Sequence, residues 1–310
     1  MMDLERCFII TGADKEYFYL AQGLILSLLD VAPQPIRIGF LDLGCTAEQL
    51  SWLRDMNVEV ASINHSSESK FPKTFRAIAD RPNIHEYFPG YDIYLWIDAD
   101  AWVQRWETIL LYLNAASEFG FAVTPEIHRS YSGLLDKSTK LENFMNDCYF
   151  TAFDQQTADL YKSWAVINTG VCAFRPESVL REGWQEELAS SLMRTQHFMV
   201  ELASFNKVLY SEFDRYFPSQ VAFLPAICNW MCHQSTPLFD EETGLLCEPS
   251  PPYEPIGIVH LTTDLLKRCG AVPVRTRSGD FIQSSLLYMK GSYSTQETVP
   301  PAWHDSGWAL

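Results

Sequence analysis

The sequence predicts an α/β fold with a mostly parallel central sheet flanked by helices. Three observations carry this. Short apolar runs of strand type alternate with segments of helical spacing along most of the chain. One of these runs, Ile93–Ile97, ends directly in the carboxylate pair Asp98 and Asp100, and open α/β sheets bind ligands beyond the carboxyl ends of their strands. The chain has 310 residues, enough for one large domain or two small ones at roughly 100–200 residues each.

The elements follow in order. Residues 7–11 (CFIIT) form a buried strand pattern that Gly12, Ala13 and Asp14 break. A helix follows to about residue 29, with Tyr17, Leu20, Ala21, Leu24 and Leu28 at helical spacing and Asp14 as its N-cap. Residues 36–41 are the second strand, the Thr46 to Gln49 spacing is a capping box that opens a helix, and residues 58–60 are a third strand. Residues 93–97 and 120–123 are further strands. Residues 166–174 carry one or two strands interrupted at Asn168-Thr169-Gly170. Residues 177–193 and 200–213 are helical, and 221–224 and 257–259 are late strands. Residues 127–163 and 236–255 read as long loops. Residues 270–310 read as a polar, weakly periodic extension packed through Trp303 and Trp308, and no internal repeat is visible.

Composition excludes several classes. Lys plus Arg number 23 against 39 Asp plus Glu, a formal net charge of −16. Binding to nucleic acid or an anionic membrane needs clustered cations, so neither is expected. The tail holds Lys290 as its last basic residue and then Glu297 and Asp305, which argues against membrane docking. No apolar run reaches the roughly 18 residues of a membrane helix, and the start, MMDLER, is charged, so the expected location is cytoplasmic. The 8 cysteines are scattered, several inside apolar runs, and read as small buried hydrophobes. Cys228, Cys232 and His233 have a zinc-like spacing without a fourth ligand nearby and read as core. The Asn64-His65-Ser66 sequon reads as chance.

Asp98-Ala99-Asp100 is the sharpest motif. Two carboxylates at the rim of a buried strand repel each other and need a cationic partner. A hard divalent cation supplies one and leaves positions open for a diphosphate. A strand-end Asp-x-Asp also fits a haloacid-dehalogenase-like phosphatase with Asp98 as nucleophile, but Trp102 stands where that family wants Thr or Val.

Several segments in order over about residues 7–268 resemble glycosyltransferase family 8, the group of glycogenin and bacterial lipopolysaccharide glucosyl- and galactosyltransferases. They are residues 10–17 (ITGADKEY), residues 95–100 with the metal motif, residues 167–171 (INTGV), Leu224-Pro225 with Asn229, and Ile258-Val259-His260. The resemblance implies a GT-A fold, a single large Rossmann-like domain over 1–269 with a nucleotide half at about 1–125 and an acceptor half at about 126–269, followed by the extension 270–310. It implies transfer of a hexose from a UDP-sugar with retention, using manganese or magnesium, to an acceptor that could be a glycan, a lipid-linked sugar or a protein. Asp98, Asp100 and His260 would hold the metal. Thr11, Asp14, Tyr17 and Ala99 would contact the nucleotide, and Arg81 and Lys267 the donor sugar or phosphates. Asn168 and Glu201 would be the catalytic pair at the donor sugar.

The chain departs from that pattern. Ile93 stands where a strand base is usual, with Arg81 or Arg76 as the upstream base. Residues 201–206 (ELASFN) match an Asp-Gln-x-x-Leu-Asn motif with Leu202 in place of Gln, and Asp154-Gln155 is a decoy. Thr263 replaces a Gly, Lys267 comes one place late, and Arg268-Cys269 replaces Pro-Trp. A catalytically silent nucleotide-sugar binder on the same fold is therefore the alternative. Trp230, after Asn229, reads as core or as a platform for an acceptor sugar.

Overall fold

Strand β1 (Cys7–Ala13) and helix α1 (Phe18–Val31) begin an alternation that continues with β2 (Ile38–Asp42), α2 (Ala47–Asp55) and β3 (Glu59–Ser62). The structure, a computed structural model, describes residues 3–63, 78–135, 140–268 and 271–288. Next come β4 (Ile93–Ile97), β5 (Ala101–Val103), α3 (Trp106–Phe119) and β6 (Phe121–Pro125). Helices α4 (Lys140–Ala152) and α5 (Gln155–Tyr161) precede β7 (Ile167–Phe174), α6 (Val179–Leu192), α7 (Val200–Ser211) and β8 (Ala222–Phe223). The chain closes with β9 (Trp230–Met231), β10 (Leu238–Asp240), β11 (Leu245–Cys247), β12 (Ile258–His260), α8 (Asp264–Arg268), β13 (Val272–Arg275) and β14 (Phe281–Ser284).

The main sheet has the order β3-β2-β1-β4-β7-β6-β8. Its pairs are parallel except those of β7, which runs antiparallel to both β4 and β6. Strand alternation sends Tyr94 and Trp96 to one face and Ile93, Leu95 and Ile97 to the other. Helices α6 and α7 cover the first face through Trp184, Leu188 and Phe205, and α1 and α3 cover the second through Leu24, Ile25, Ile109 and Tyr112. A buried strand clad on both sides is apolar throughout, which is why β4 reads as an unbroken run. A second sheet, β5-β12-β9, sets His260 at the end of β12 opposite Ala101 of β5.

Several expectations need correction. Strand β1 continues through Gly12 and Ala13, because both pair with β2. Asp14 caps the turn before α1 instead of the helix itself: its Oδ1 accepts from the amides of Glu16 (2.9 Å) and Tyr17 (3.0 Å), and Tyr17 is the N-cap residue. Asn168-Thr169-Gly170 does not divide β7, which absorbs it by slipping register against β6 between Val123 and Thr124. The supposed loop 127–163 holds α4 and α5, and Asp154 caps α5 through the Thr157 amide (2.7 Å). Exposed Phe144, Phe150 and Leu160 blur the apolar stripe there. The supposed loop 236–255 holds the β10–β11 hairpin, whose strands are too short for a periodicity to register.

The capping box is as expected, with Thr46 and Gln49 side chains each accepting from the other's backbone. Beyond residue 270, the β13–β14 hairpin buries Val272, Val274 and Ile282 in a third core cluster with Trp102, Trp230 and Val259. The Trp102 indole donates to the Leu286 carbonyl (2.8 Å). Asn64, Arg76, Cys269, Lys290, Glu297, Trp303, Asp305 and Trp308 lie outside the described residues. Among the described residues no helix is long and apolar enough to cross a membrane.

Candidate active site

Asp98 is the first residue beyond β4, and its amide donates to the Gly170 carbonyl (2.7 Å), which ties the strand end to β7. Asp100 precedes β5, and its carbonyl accepts from the Leu261 amide (3.0 Å), which ties it to the residue after His260. These two links between sheets bring Asp98, Asp100 and His260 together. Each offers one ligand atom, and the three atoms lie within 4.8 Å of one another. Gly170 completes the cradle. A Cβ there would lie 2.6 Å from Asp98 Oδ2 and 2.6 Å from His260 Cε1, so only glycine leaves the space between the ligands open.

Two cations face the carboxylates. Arg81 donates through Nη2 to Asp98 Oδ1 (2.6 Å) and through Nη1 to Glu201 Oε2 (3.0 Å) and Thr169 Oγ1 (3.0 Å). The Trp96 indole also donates to Asp98 Oδ1 (2.6 Å), and the Arg81 guanidinium lies 5.3 Å from the centre of the Trp96 ring. Lys267 Nζ sits 2.8 Å from Asp100 Oδ2, and His260 Nε2 3.2 Å from Asp100 Oδ1. Burial alone would raise the Asp100 carboxyl, but His260 and Lys267 outweigh it and hold it below the ordinary range. Burial pushes Glu201 up to about 7, with Arg81 opposing. Glu201 Oε1 is buried and has no hydrogen-bond partner among the described residues.

A relay of amides sets the imidazole. The Gly170 amide can only donate, and it donates to Asn168 Oδ1 (2.9 Å), which fixes the Asn168 orientation. Asn229 Nδ2 then donates to that same oxygen (3.1 Å), and Asn168 Nδ2 donates to Glu126 Oε1 (2.9 Å). Asn229 Oδ1 is left to accept from His260 Nδ1 at 2.9 Å, so Nε2 is the nitrogen turned toward Asp98 and Asp100. The donor set, two carboxylates and an imidazole nitrogen, fits a manganese- or magnesium-class ion.

The side chains surround a cavity of about 740 Å³ whose lining includes Arg81, Asp98, Asp100, Asn168, Glu201, His260 and Lys267. Thr11, Asp14, Tyr17 and Ala99 are not in that lining. Thr11 is buried on β1 and its hydroxyl has no partner among the described residues, and Ala99 is partly buried against the second core cluster. Tyr17 reaches the site indirectly: Lys267 Nζ lies 5.6 Å from its ring centre, and its hydroxyl donates to Asp264 Oδ1 (3.2 Å). Ile93 is buried at the far end of β4. Trp230 is fully buried against His128 and Tyr131, so it is core and offers no platform for a sugar. Trp164 is 47% exposed.

Sequence reasoning missed Glu126, Thr169, and the role of Asn229 as the partner of His260. Glu126 follows β6 directly, and a carboxylate just past an apolar strand was the available signal. Thr262, two residues after His260, has a left-handed backbone (φ 58°), a strained state for a β-branched residue, and its hydroxyl is 2.6 Å from His233 Nδ1.

No family model matches the sequence, and no curated protein matches it. Solved structures do match in fold. The apo structure of the bifunctional glycosyltransferase WbbM aligns with 83% of this chain and 45% of its own, at 16% identity and a TM-score of 0.50. This chain therefore spans less than half of that protein. An active-site mutant of LgtC aligns over 83% of this chain and 87% of its own, at 14% identity and a TM-score of 0.49. Mouse xyloside xylosyltransferase 1 in its apo form aligns over 76% and 86%, at 11% identity and a TM-score of 0.45. With its seven-stranded, mostly parallel sheet, the chain has a GT-A glycosyltransferase fold.

Proposed function

We propose that this chain is a metal-dependent glycosyltransferase of family 8 type, moving a hexose from a UDP-sugar to an acceptor hydroxyl with retention at the anomeric carbon. The observation that carries the reading is the convergence of Asp98, Asp100 and His260 beyond the end of β4 on this fold, with Arg81 and Lys267 beside them. A divalent cation held by the three ligands would neutralise charge on the departing diphosphate. Asn229, bonded to His260 Nδ1, holds the ring with Nε2 aimed at the ligand position. Lys267, on a flexible stem, exchanges Asp100 for a phosphate oxygen when the donor enters. Arg81, held from both sides, keeps Asp98 oriented. Glu201 Oε1, buried and without a partner among the described residues, is the acceptor for a donor-sugar hydroxyl, and Asn168 lines the same cavity. In the transfer, the bond from the anomeric carbon to the β-phosphate oxygen breaks and a bond to the acceptor oxygen forms. The acceptor proton passes to the released diphosphate.

A cytoplasmic location belongs to the same reading, and the free thiols of Cys7, Cys45, Cys148, Cys172, Cys228, Cys232 and Cys247 support it. The second reading, a silent nucleotide-sugar binder, is favoured by one observation: Leu202, next to Glu201, lines the cavity with hydrocarbon where the family carries Gln. A panel of UDP-sugars in manganese, scored for slow hydrolysis, separates the two. Hydrolysis of one donor above the rest is expected. Tight metal-dependent UDP binding with no donor turned over, across many acceptors, would leave the silent binder standing.

A further inference from the structure

Each candidate ligand carboxylate already has a cation of the chain itself on it, Arg81 on Asp98 and Lys267 on Asp100. The two cations are held differently. Arg81 is buried and donates to Glu201 and Thr169 as well, so three side chains fix it. The Lys267 ammonium has looser company: Asp100 Oδ2 at 2.8 Å, Asp264 Oδ1 at 4.0 Å and the Tyr17 ring centre at 5.6 Å. Its main chain, in contrast, is pinned. The Lys267 amide donates to the Thr263 carbonyl (3.1 Å), and the Tyr19 hydroxyl of α1 donates to the Lys267 carbonyl (3.0 Å). Thr262, at the start of this segment, is bonded to His233 (2.6 Å). The backbone therefore sets Lys267 beside Asp100, while the ammonium can turn on its flexible stem.

Both oxygens of Asp100 are engaged, Oδ1 by His260 Nε2 (3.2 Å) and Oδ2 by Lys267 Nζ. A divalent cation held by Asp98, Asp100 and His260 would share a carboxylate with the ammonium. Like charges that close repel strongly away from water, and the Lys267 side chain is largely buried. Metal uptake then requires Nζ to leave Asp100, which breaks an ion pair. A diphosphate gives the ammonium new oxygens to bind. When metal and diphosphate enter together, that ion pair is broken once for both, so each favours the other.

We propose that Lys267 couples the metal to the nucleotide: on Asp100 it opposes a lone divalent cation, and drawn to a phosphate oxygen it admits one. The inference rests on the glycosyltransferase reading and adds a regulation to its site. Metal is taken up with the diphosphate and given up with it.

The test is a manganese titration of the full chain with and without UDP, read by the paramagnetic resonance signal of the free ion. Lys267→Met and Lys267→Gln remove the charge, and the Gln variant keeps a hydrogen-bond donor near Asp100. Lys267→Arg keeps the charge. Wild type is expected to bind manganese about tenfold or more tightly once UDP is present. In both neutral variants manganese alone is expected to bind about tenfold tighter than in wild type, because the opposing charge is gone. UDP in saturating manganese should bind them more weakly, and the factor by which UDP tightens manganese should shrink. Lys267→Arg should keep the weak binding of metal alone. Lone-manganese affinity that is unchanged or weaker in the neutral variants, or an undiminished coupling factor, would overturn the inference. The wild-type titration keeps the two readings apart. Manganese-dependent UDP binding by wild type, with no gain of metal affinity in the neutral variants, sinks only the coupling by Lys267. Absence of manganese-dependent UDP binding in wild type sinks the transferase reading and the coupling with it.

Discussion

Asp98 and Glu201 share one guanidinium; Arg81 and Glu201 are buried, and Asp98 is partly exposed. Removing the guanidinium strands the buried Glu201 carboxylate and takes a cation from Asp98, so Arg81→Met should destabilise the chain by about 3–5 kcal/mol in urea unfolding. Adding Glu201→Gln should restore part of that loss, because the buried charge left without a partner is gone. Glu201 also predicts a pH signature. Its carboxyl is pushed up to about 7 in the fold, above the ordinary glutamate value. The folded state therefore holds a proton that the unfolded chain releases at lower pH. This contribution to stability is present below the unfolded value and is lost as pH rises through about 7. The melting temperature of Glu201→Gln, followed from pH 5 to 8, should fall less steeply than that of the wild type. Parallel curves would contradict the assignment. At this scale the three candidate ligands were legible, because residue type and strand position announce them. The Glu126–Asn168–Asn229 relay was not, since three ordinary polar residues far apart in sequence acquire meaning only when β6, β7 and the segment before β9 converge.

Among the elements, β7 shows best how local structure serves the site. Gly170 lies on it where any side chain would enter the space between Asp98 and His260. Gly170→Ala should keep the fold, which thermal melting would check, and weaken metal-dependent UDP binding by tenfold or more, read by calorimetry; unchanged binding would show that this space is not the ligand position. The strong strands and the Thr46 capping box were legible because period and cap chemistry are local. Helices α4 and α5 were hidden because apolar residues such as Phe144, Phe150 and Leu160 are exposed on them, which blurs the amphipathic pattern. The short strands of the two hairpins leave no periodicity to read.

Across the whole molecule, the two faces of the main sheet and the cluster beneath β5-β12-β9 hold the ligands from different sides. The β13–β14 hairpin belongs to that third cluster, which also contains Val259 of β12, next to His260. Replacing Val274 and Ile282 by Ser should therefore lower the melting temperature and loosen metal-dependent UDP binding together. A melting shift with fully retained UDP affinity would show that the hairpin supports stability alone. The α/β architecture was legible from the alternation of elements. The place of this hairpin was not, because it depends on a long-range contact with Trp102.

The central claim is that Asp98, Asp100 and His260 hold a divalent cation that in turn holds a nucleoside diphosphate. Calorimetric titration of UDP with and without manganese, on the wild type and on Asp98→Ala, tests it most directly. The account predicts tight binding to the wild type only when manganese is present, and loss of that metal dependence in Asp98→Ala with the fold intact. Equal UDP affinity in both proteins, or no binding by the wild type under either condition, would contradict it.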